Sequence, residues 1–167
     1  MTTKKVTIIF FSKTGNIKKM AEAIGAGLKN ESEKSNHIDV NITDIDKVQT
    51  ETRVSSNCII AGAPIHYGKL ATPMENFLKE SFLNSEVHRG KIGSCFTSYG
   101  VDIEGSEIAI LTMVQIFLEH GMLVPGFGDG PLGQFVAGAL DEQVLANCND
   151  FGKNIADLTK RLKTSQQ

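Results

Sequence analysis

The chain alternates short apolar runs with longer stretches in which apolar residues recur every three or four positions. Residues 6–11 form the first run. Ile17, Met20, Ala21, Ile24 and Leu28 then repeat at helical spacing, so a strand followed by a helix over about residues 17–30 is predicted. Residues 37–42 alternate as a second strand, and the polar stretch 43–57 reads as loop with a short helical turn. Cys58-Ile59-Ile60-Ala61-Gly62 is continuously apolar, as a central parallel strand should be. Thr72 and Pro73 supply a hydroxyl cap and a first-turn proline for a helix carrying Met74, Phe77, Leu78 and Phe82. Residues 91–96 form a fourth strand. A long helix over 106–120 turns Ile110, Val114, Phe117 and Leu118 inward and stops at Gly121. Residues 122–124 begin the fifth strand, and 126–138 read as a glycine-rich loop. The last helix, about 141–162, presents Val144, Cys148, Phe151, Ile155, Leu158 and Leu162, with Lys160, Arg161 and Lys163 suited to its C-terminal end. Alternating strands and helices predict an α/β fold with one open, doubly wound parallel sheet of five strands and helices on both faces. The length fits a single domain, residues 1–167.

Composition narrows the partners. A net charge of −2 and the lack of a basic stripe argue against nucleic acid. The first apolar run is too short to span a bilayer, and nothing before it resembles a signal peptide, so a cytoplasmic location away from membranes is expected. Cys58, Cys95 and Cys148 are scattered, as buried thiols in a reducing compartment would be. His37, His66, His88 and His120 lack zinc spacing, so no metal is expected. Gly128-Asp129-Gly130-Pro131-Leu132-Gly133 spells a dinucleotide fingerprint. Pro131, however, lacks the N–H such a loop needs, and too little chain follows for a second half of that fold. No serine sits in a nucleophile elbow, so hydrolase chemistry is unsupported.

The chemistry lies where strands end. After the first strand, Ser12, Lys13, Thr14, Gly15, Asn16 and Ile17 make a hydroxyl-rich turn that opens directly into a helix. Free amides at the positive helix end, beside two hydroxyls, suit a terminal phosphate. The turn lacks the Walker pattern, so a single phosphate fits better than a nucleoside triphosphate. After the third strand come Ala63, Pro64, Ile65, His66, Tyr67, Gly68 and Lys69, where a stiffened loop could wall a flat ring with an aromatic and a histidine. After the fourth strand come Thr97, Ser98, Tyr99 and Gly100, then Asp102, Glu104 and Gly105, with amides and hydroxyls for the polar edge of a ring. In such sheets ligands bind beyond the carboxyl ends of the strands.

Four motifs in order carry a family resemblance: Ser12 to Ile17 as Ser-x-x-Gly-x-Ile, Ala63 to Gly68 as Ala-Pro-x-x-Tyr-Gly, Phe96 to Gly100 as Phe-Thr-Ser-x-Gly, and Glu119 to Met122 as Glu-His-Gly-Met. Over residues 6–125 the chain resembles the tryptophan-repressor-binding-protein family of flavodoxin-like NAD(P)H:quinone oxidoreductases. The resemblance implies a flavodoxin-like sheet of strand order 2-1-3-4-5, and flavin mononucleotide (FMN) as cofactor. The phosphate would lie on residues 12–17, and the ribityl chain and isoalloxazine between residues 63–68 and 97–100, with Gly105 nearby. NAD(P)H would be co-substrate and a quinone the acceptor. The chain departs from that family at Glu119, where a histidine is common, in lacking the family's tryptophan-bearing loop, and in a shorter glycine-rich insertion. Flavin performs the redox step itself, so Tyr67 and His66 are candidates only for the substrate side. Two other readings stand beside this one: a flavodoxin-type electron carrier, suggested by Ser98-Tyr99 and the short C-terminal region, and a flavin-binding scaffold. The low net charge gives weak steering toward basic partners and favours the enzyme. Phe127, Leu132, Phe135 and Val136 crowd one loop, so an apolar patch and a homodimer or homotetramer are expected.

Overall fold

The computed structural model describes residues 3–33, 37–81, 85–100 and 105–162. Its elements, in chain order, are β1 (Lys4–Phe10), α1 (Asn16–Glu33), β2 (Ile38–Asp44), α2 (Thr50–Ser55), β3 (Cys58–His66), β4 (Lys69–Leu70), α3 (Thr72–Ser81), α4 (Ser85–His88), β5 (Ile92–Ser98), α5 (Ser106–Glu119), a 3-10 turn (Pro131–Gly133), β6 (Phe135–Ala137) and α6 (Glu142–Arg161). The parallel path runs β2-β1-β3-β5-β6. Counted without the two-residue β4, which pairs antiparallel with the end of β3, this is the expected order 2-1-3-4-5. The fold is flavodoxin-like α/β.

Two apolar layers sandwich the sheet. Side chains alternate along β1, so Val6, Ile8 and Phe10 meet α1 and α6 while Ile9 meets the α3 and α5 side. On the first face Met20, Ile24 and Leu28 of α1 pack with Phe151 and Ile155 of α6. On the second, Met74 and Leu78 of α3 pack with Ile110, Met113 and Phe117 of α5. All three cysteines are free and buried, and burial pushes the Cys58 and Cys148 thiols up to about 12. They are packing groups without thiolate reactivity.

Four expectations need correction. The fifth strand is split: Leu123 makes one parallel bridge with Ile92, and the strand proper is Phe135–Ala137, inside what the glycine spacing reads as loop. The intervening loop explains how: Gln134, fully buried, replaces the missing strand backbone with its side-chain amide. Its Oε1 accepts from the Cys95 amide and the Ser94 hydroxyl, each at 2.9 Å, and its Nε2 donates to the Pro125 carbonyl at 2.7 Å. Second, residues 63–69 are not open loop, because β3 runs on to His66 and turns back through a hairpin. Third, Leu118 faces outward and is 57% exposed. Fourth, Phe135 is in the core beside Phe151, and Val136 packs against the opposite core, so neither joins an exposed patch with Phe127 and Leu132. Phe82, Asp102, Glu104 and Lys163 lie outside the described residues.

At the amino-terminal edge of the sheet, bases close helix C-termini. Arg53 donates to the Ser81 carbonyl at the end of α3, Lys91 to the Val54 carbonyl at the end of α2, and His120 Nδ1 stands 2.6 Å from the Ile116 carbonyl. Buried His88 shares this neighbourhood; burial, then Lys91, Arg53 and His120, depress its pKa to about 4.

Candidate functional site

The first loop is shaped by Ser12. Its Oγ accepts hydrogen bonds from the Gly15 amide at 3.1 Å and the Lys18 amide at 3.3 Å, which bends the chain into α1. Gly15 sits at φ 89° and its carbonyl takes the Lys19 amide. A side chain at Gly15 would meet nothing within 4 Å, so it is backbone conformation that demands glycine, and the space above the loop is open. The amides of Asn16 and Ile17, in the first helical turn, have no acceptor inside the helix. Lys13, Thr14 and Asn16 have exposed side chains around them, whereas the Ile17 side chain is buried and anchors the helix. An open cleft of about 540 Å³ continues toward β2, flanked by Lys13, Lys18 and Lys47 and also by Glu22 and Asp44. These features fit a phosphate: unpaired amides, a hydroxyl, a positive helix end and nearby ammonium groups.

The second segment leaves β3 beside it, joined by the Phe11 amide to the Gly62 carbonyl at 2.9 Å. Ala63 is buried, Pro64, Ile65 and His66 are half-buried, and His66 pairs with Lys69 across a two-residue turn. Tyr67 and Gly68 occupy that turn at φ 50° and 71°, the handedness hairpins prefer. A tyrosine there holds left-handed strain, about 1–2 kcal/mol, and its ring is fully exposed. An aromatic held out in a costly conformation marks a contact surface.

The third segment divides by role. Thr97 is buried and its hydroxyl donates to the Ala63 carbonyl at 2.7 Å, tying β5 to β3. Ser98 is buried at the strand end. Tyr99 donates its amide to Ala137 at 2.9 Å and lays the edge of its ring against Gly138. Gly100 is exposed and open above. Gly105 starts α5 at φ 86°, where any side chain would collide with the backbone of Gly68. This close approach brings the second and third segments together. With β1, β3 and β5 adjacent in the sheet, all three segments converge beyond the strand carboxyl ends.

The electrostatics were not visible in the net charge. Residues 92–152 hold eight carboxylates (Asp102, Glu104, Glu107, Glu119, Asp129, Asp141, Glu142 and Asp150) and no lysine or arginine. The rest of the chain holds all 17 bases against 11 carboxylates, a balance of +6. Among the described residues, exposed Glu107 opens α5 beside the third segment, while Glu119 closes that helix at the amino-terminal edge of the sheet, next to His120. Counting along the sequence would have found this segregation; summing over it hid it. Gln134 was also missed, for a mid-loop glutamine gives no sequence signal.

Residues 7–107 match the model of the flavodoxin domain. The flavodoxin of Clostridium saccharobutylicum is 31% identical over 165 residues, covering 95% of this chain and 99% of that protein. The NAD(P)H dehydrogenase (quinone) of Methylocella silvestris is 25% identical over 159 residues, covering 83% of this chain and 76% of that one. Among solved structures, a flavodoxin from the domain Archaea superposes with a TM-score of 0.77 at 28% identity, covering 94% of this chain and 99% of that chain. The match to more than half of the chain, together with a relative of near-identical extent, places it: this protein belongs to the flavodoxin-domain family.

Proposed function

We propose that the chain binds FMN at the three convergent segments and carries electrons between protein partners. The observation that carries the reading is the near full-length similarity to a flavodoxin, over 95% of this chain and 99% of that protein. The stretch 92–152, which holds no lysine or arginine, supports it by suiting basic partners.

The isoalloxazine, when bound, supplies the redox chemistry. The chain supplies position and electrostatics. The Thr14 hydroxyl and the Thr14, Asn16 and Ile17 amides hold the phosphate, with Lys13 and Lys18 adding charge and Ser12 keeping the loop in shape. Pro64 and Ile65 would line the ribityl chain; Ala63, fully buried, serves instead to tie this segment to β5 through the Thr97 hydroxyl. His66, Tyr67 and Gly68 wall one side of the ring. The Ser98, Tyr99 and Gly100 backbone and Gly105 face its polar edge, where amide donors favour added negative charge.

A second reading, NAD(P)H:quinone oxidoreductase, is supported by relatives of that name and by the open Tyr67 hairpin, which leaves room for a small acceptor. Reduced nicotinamide and benzoquinone separate the two. On the carrier reading, NADH or NADPH leaves the anaerobic flavin yellow over minutes, and a ferredoxin-type donor bleaches it. Rapid bleaching by either nucleotide, with multiple ping-pong turnovers on benzoquinone and a loss on the order of 100-fold in Tyr67→Ala, would install the reductase instead.

A further inference from the structure

We propose that the cleft between the phosphate turn and the end of β2 holds an adenosine phosphate, so that the site takes flavin adenine dinucleotide (FAD) as well as FMN. The inference rests on the flavin reading above and extends it. The cleft, about 540 Å³, falls within the roughly 300–1,000 Å³ of small-molecule sites. A single phosphate needs little of it. On the flavin reading the ring lies beyond β3 and β5, whereas the cleft lies beyond β1 and β2 on the other side of the turn. A ligand that fills the cleft therefore leaves the flavin's phosphate in the direction opposite to the ribityl chain. The second phosphate and the adenosine of FAD are attached there.

Topology points to the same occupant. In dinucleotide-binding α/β folds the phosphates rest on the helix after the first strand, and an acidic residue near the end of the second strand holds the adenosine ribose. Asp44 is the last residue of β2, lies in register with Phe10, the last of β1, and lines the cleft. Its Oδ1 accepts from the Asp46 amide at 3.0 Å, and a carboxylate has about four acceptor positions, so a ribose diol finds acceptors there. Phe10 and Ile42 add apolar lining for the base. Lys13, Lys18 and Lys47 outnumber Glu22 and Asp44, which suits the charge of a second phosphate. Lys18 and Glu22 stand 4.0 Å apart with both side chains more than half exposed, a contact too weak to hold the lysine from a ligand. The turn carries one glycine where those folds carry three. A side chain at that Gly15 would meet nothing within 4 Å, so a bridging phosphate has room beside it.

The test is calorimetric titration of the flavin-free, full-length chain with FMN and with FAD. FAD should bind at least as tightly as FMN. Asp44→Ala should weaken FAD about 10-fold, the loss of a hydrogen bond to a charged group, and change FMN less than about threefold. Asp44→Asn, which keeps an acceptor for the Asp46 amide, should weaken FAD less than the alanine and likewise spare FMN. Intact FMN binding in both variants shows that the turn is still folded. FAD binding weaker than FMN, or an equal loss of both flavins in Asp44→Ala, would overturn the subsite and leave the FMN reading standing. A chain that binds neither flavin would overturn both. Adenosine 5′-monophosphate added to the FMN-loaded chain should not bind saturably below about 1 mM, because only the link to the flavin raises its effective concentration in the cleft. Tighter binding that Asp44→Ala abolishes would assign the cleft to a separate nucleotide and overturn the proposal.

Discussion

Ser12 and Thr14 stand two residues apart in the same turn and do different work. Ser12 points inward and holds two loop amides; Thr14 points outward and is exposed. Ser12→Ala should therefore lower the stability of the ligand-free protein by about 1 kcal/mol, as loss of a helix cap does. Thr14→Ala should leave that stability unchanged and weaken FMN binding about 10- to 100-fold, one hydrogen bond to a charged group. Denaturant melts and flavin titrations on both variants check the pair, and a normal affinity in Thr14→Ala would move the phosphate elsewhere. Gly15→Val tests the backbone directly. At φ 89° a β-branched residue is strained even in open space, so the turn should deform and the variant should purify folded and colourless. His88 carries a pH signature. Its depressed pKa, about 4, means the unfolded chain takes up the proton first, near 6.5. Its contribution is whole above about pH 6.5 and is lost as pH falls toward 4, so denaturation midpoints should drop across that window, and less so in His88→Phe.

The elements show which signals a sequence carries and which it does not. Apolar runs betrayed β1 and β3 because central strands are buried on both faces, and the three-four periodicity of α1 and α6 betrayed helices with one wet side. The α5 helix misled at Leu118 because it is apolar all round, and periodicity alone cannot tell which leucine meets the core. The fifth strand was lost for another reason. Phe135-Val136-Ala137 is three residues long, follows a run of glycines, and pairs only because Gln134 fills the gap behind it. Much of the site was legible, since the first turn and the two later segments each pair a strand end with polar or glycine residues. The hairpin at Tyr67 was not, because a tyrosine at positive φ breaks the turn preferences that would announce it. The split strand gives an element-scale prediction. Gln134→Leu keeps the volume but strands the Cys95 amide and the Ser94 hydroxyl in a dry interior and releases the half-buried Pro125 carbonyl. It should destabilise the protein by about 2–4 kcal/mol, read as a lower denaturation midpoint with an unchanged slope.

At the scale of the molecule, a net charge of −2 is a poor description of what a partner meets. A chain of this length has a radius of gyration near 15 Å, while charges are screened over about 8 Å at physiological salt. An approaching protein therefore feels the charges on the face before it, and along this chain they are uneven: residues 92–152 hold no lysine or arginine, while the rest holds all 17 bases. A low net charge is therefore compatible with local steering of a partner. Charge can be moved without being changed. Glu107→Lys combined with Lys29→Glu leaves the total at −2 but removes an exposed carboxylate beside the third segment and an exposed base from α1 outside the phosphate cleft. After anaerobic photoreduction of the flavin-loaded protein, electron transfer to a basic c-type cytochrome should slow several-fold in this variant at low salt, and the difference should vanish by about 0.5 M, where the screening length nears 4 Å. A small neutral quinone should be reduced at the same rate by both proteins, since it carries no charge. If the two proteins react alike with the cytochrome at low salt, steering follows total charge, and the segregation of charge along this chain has no part in bringing its partner to the flavin.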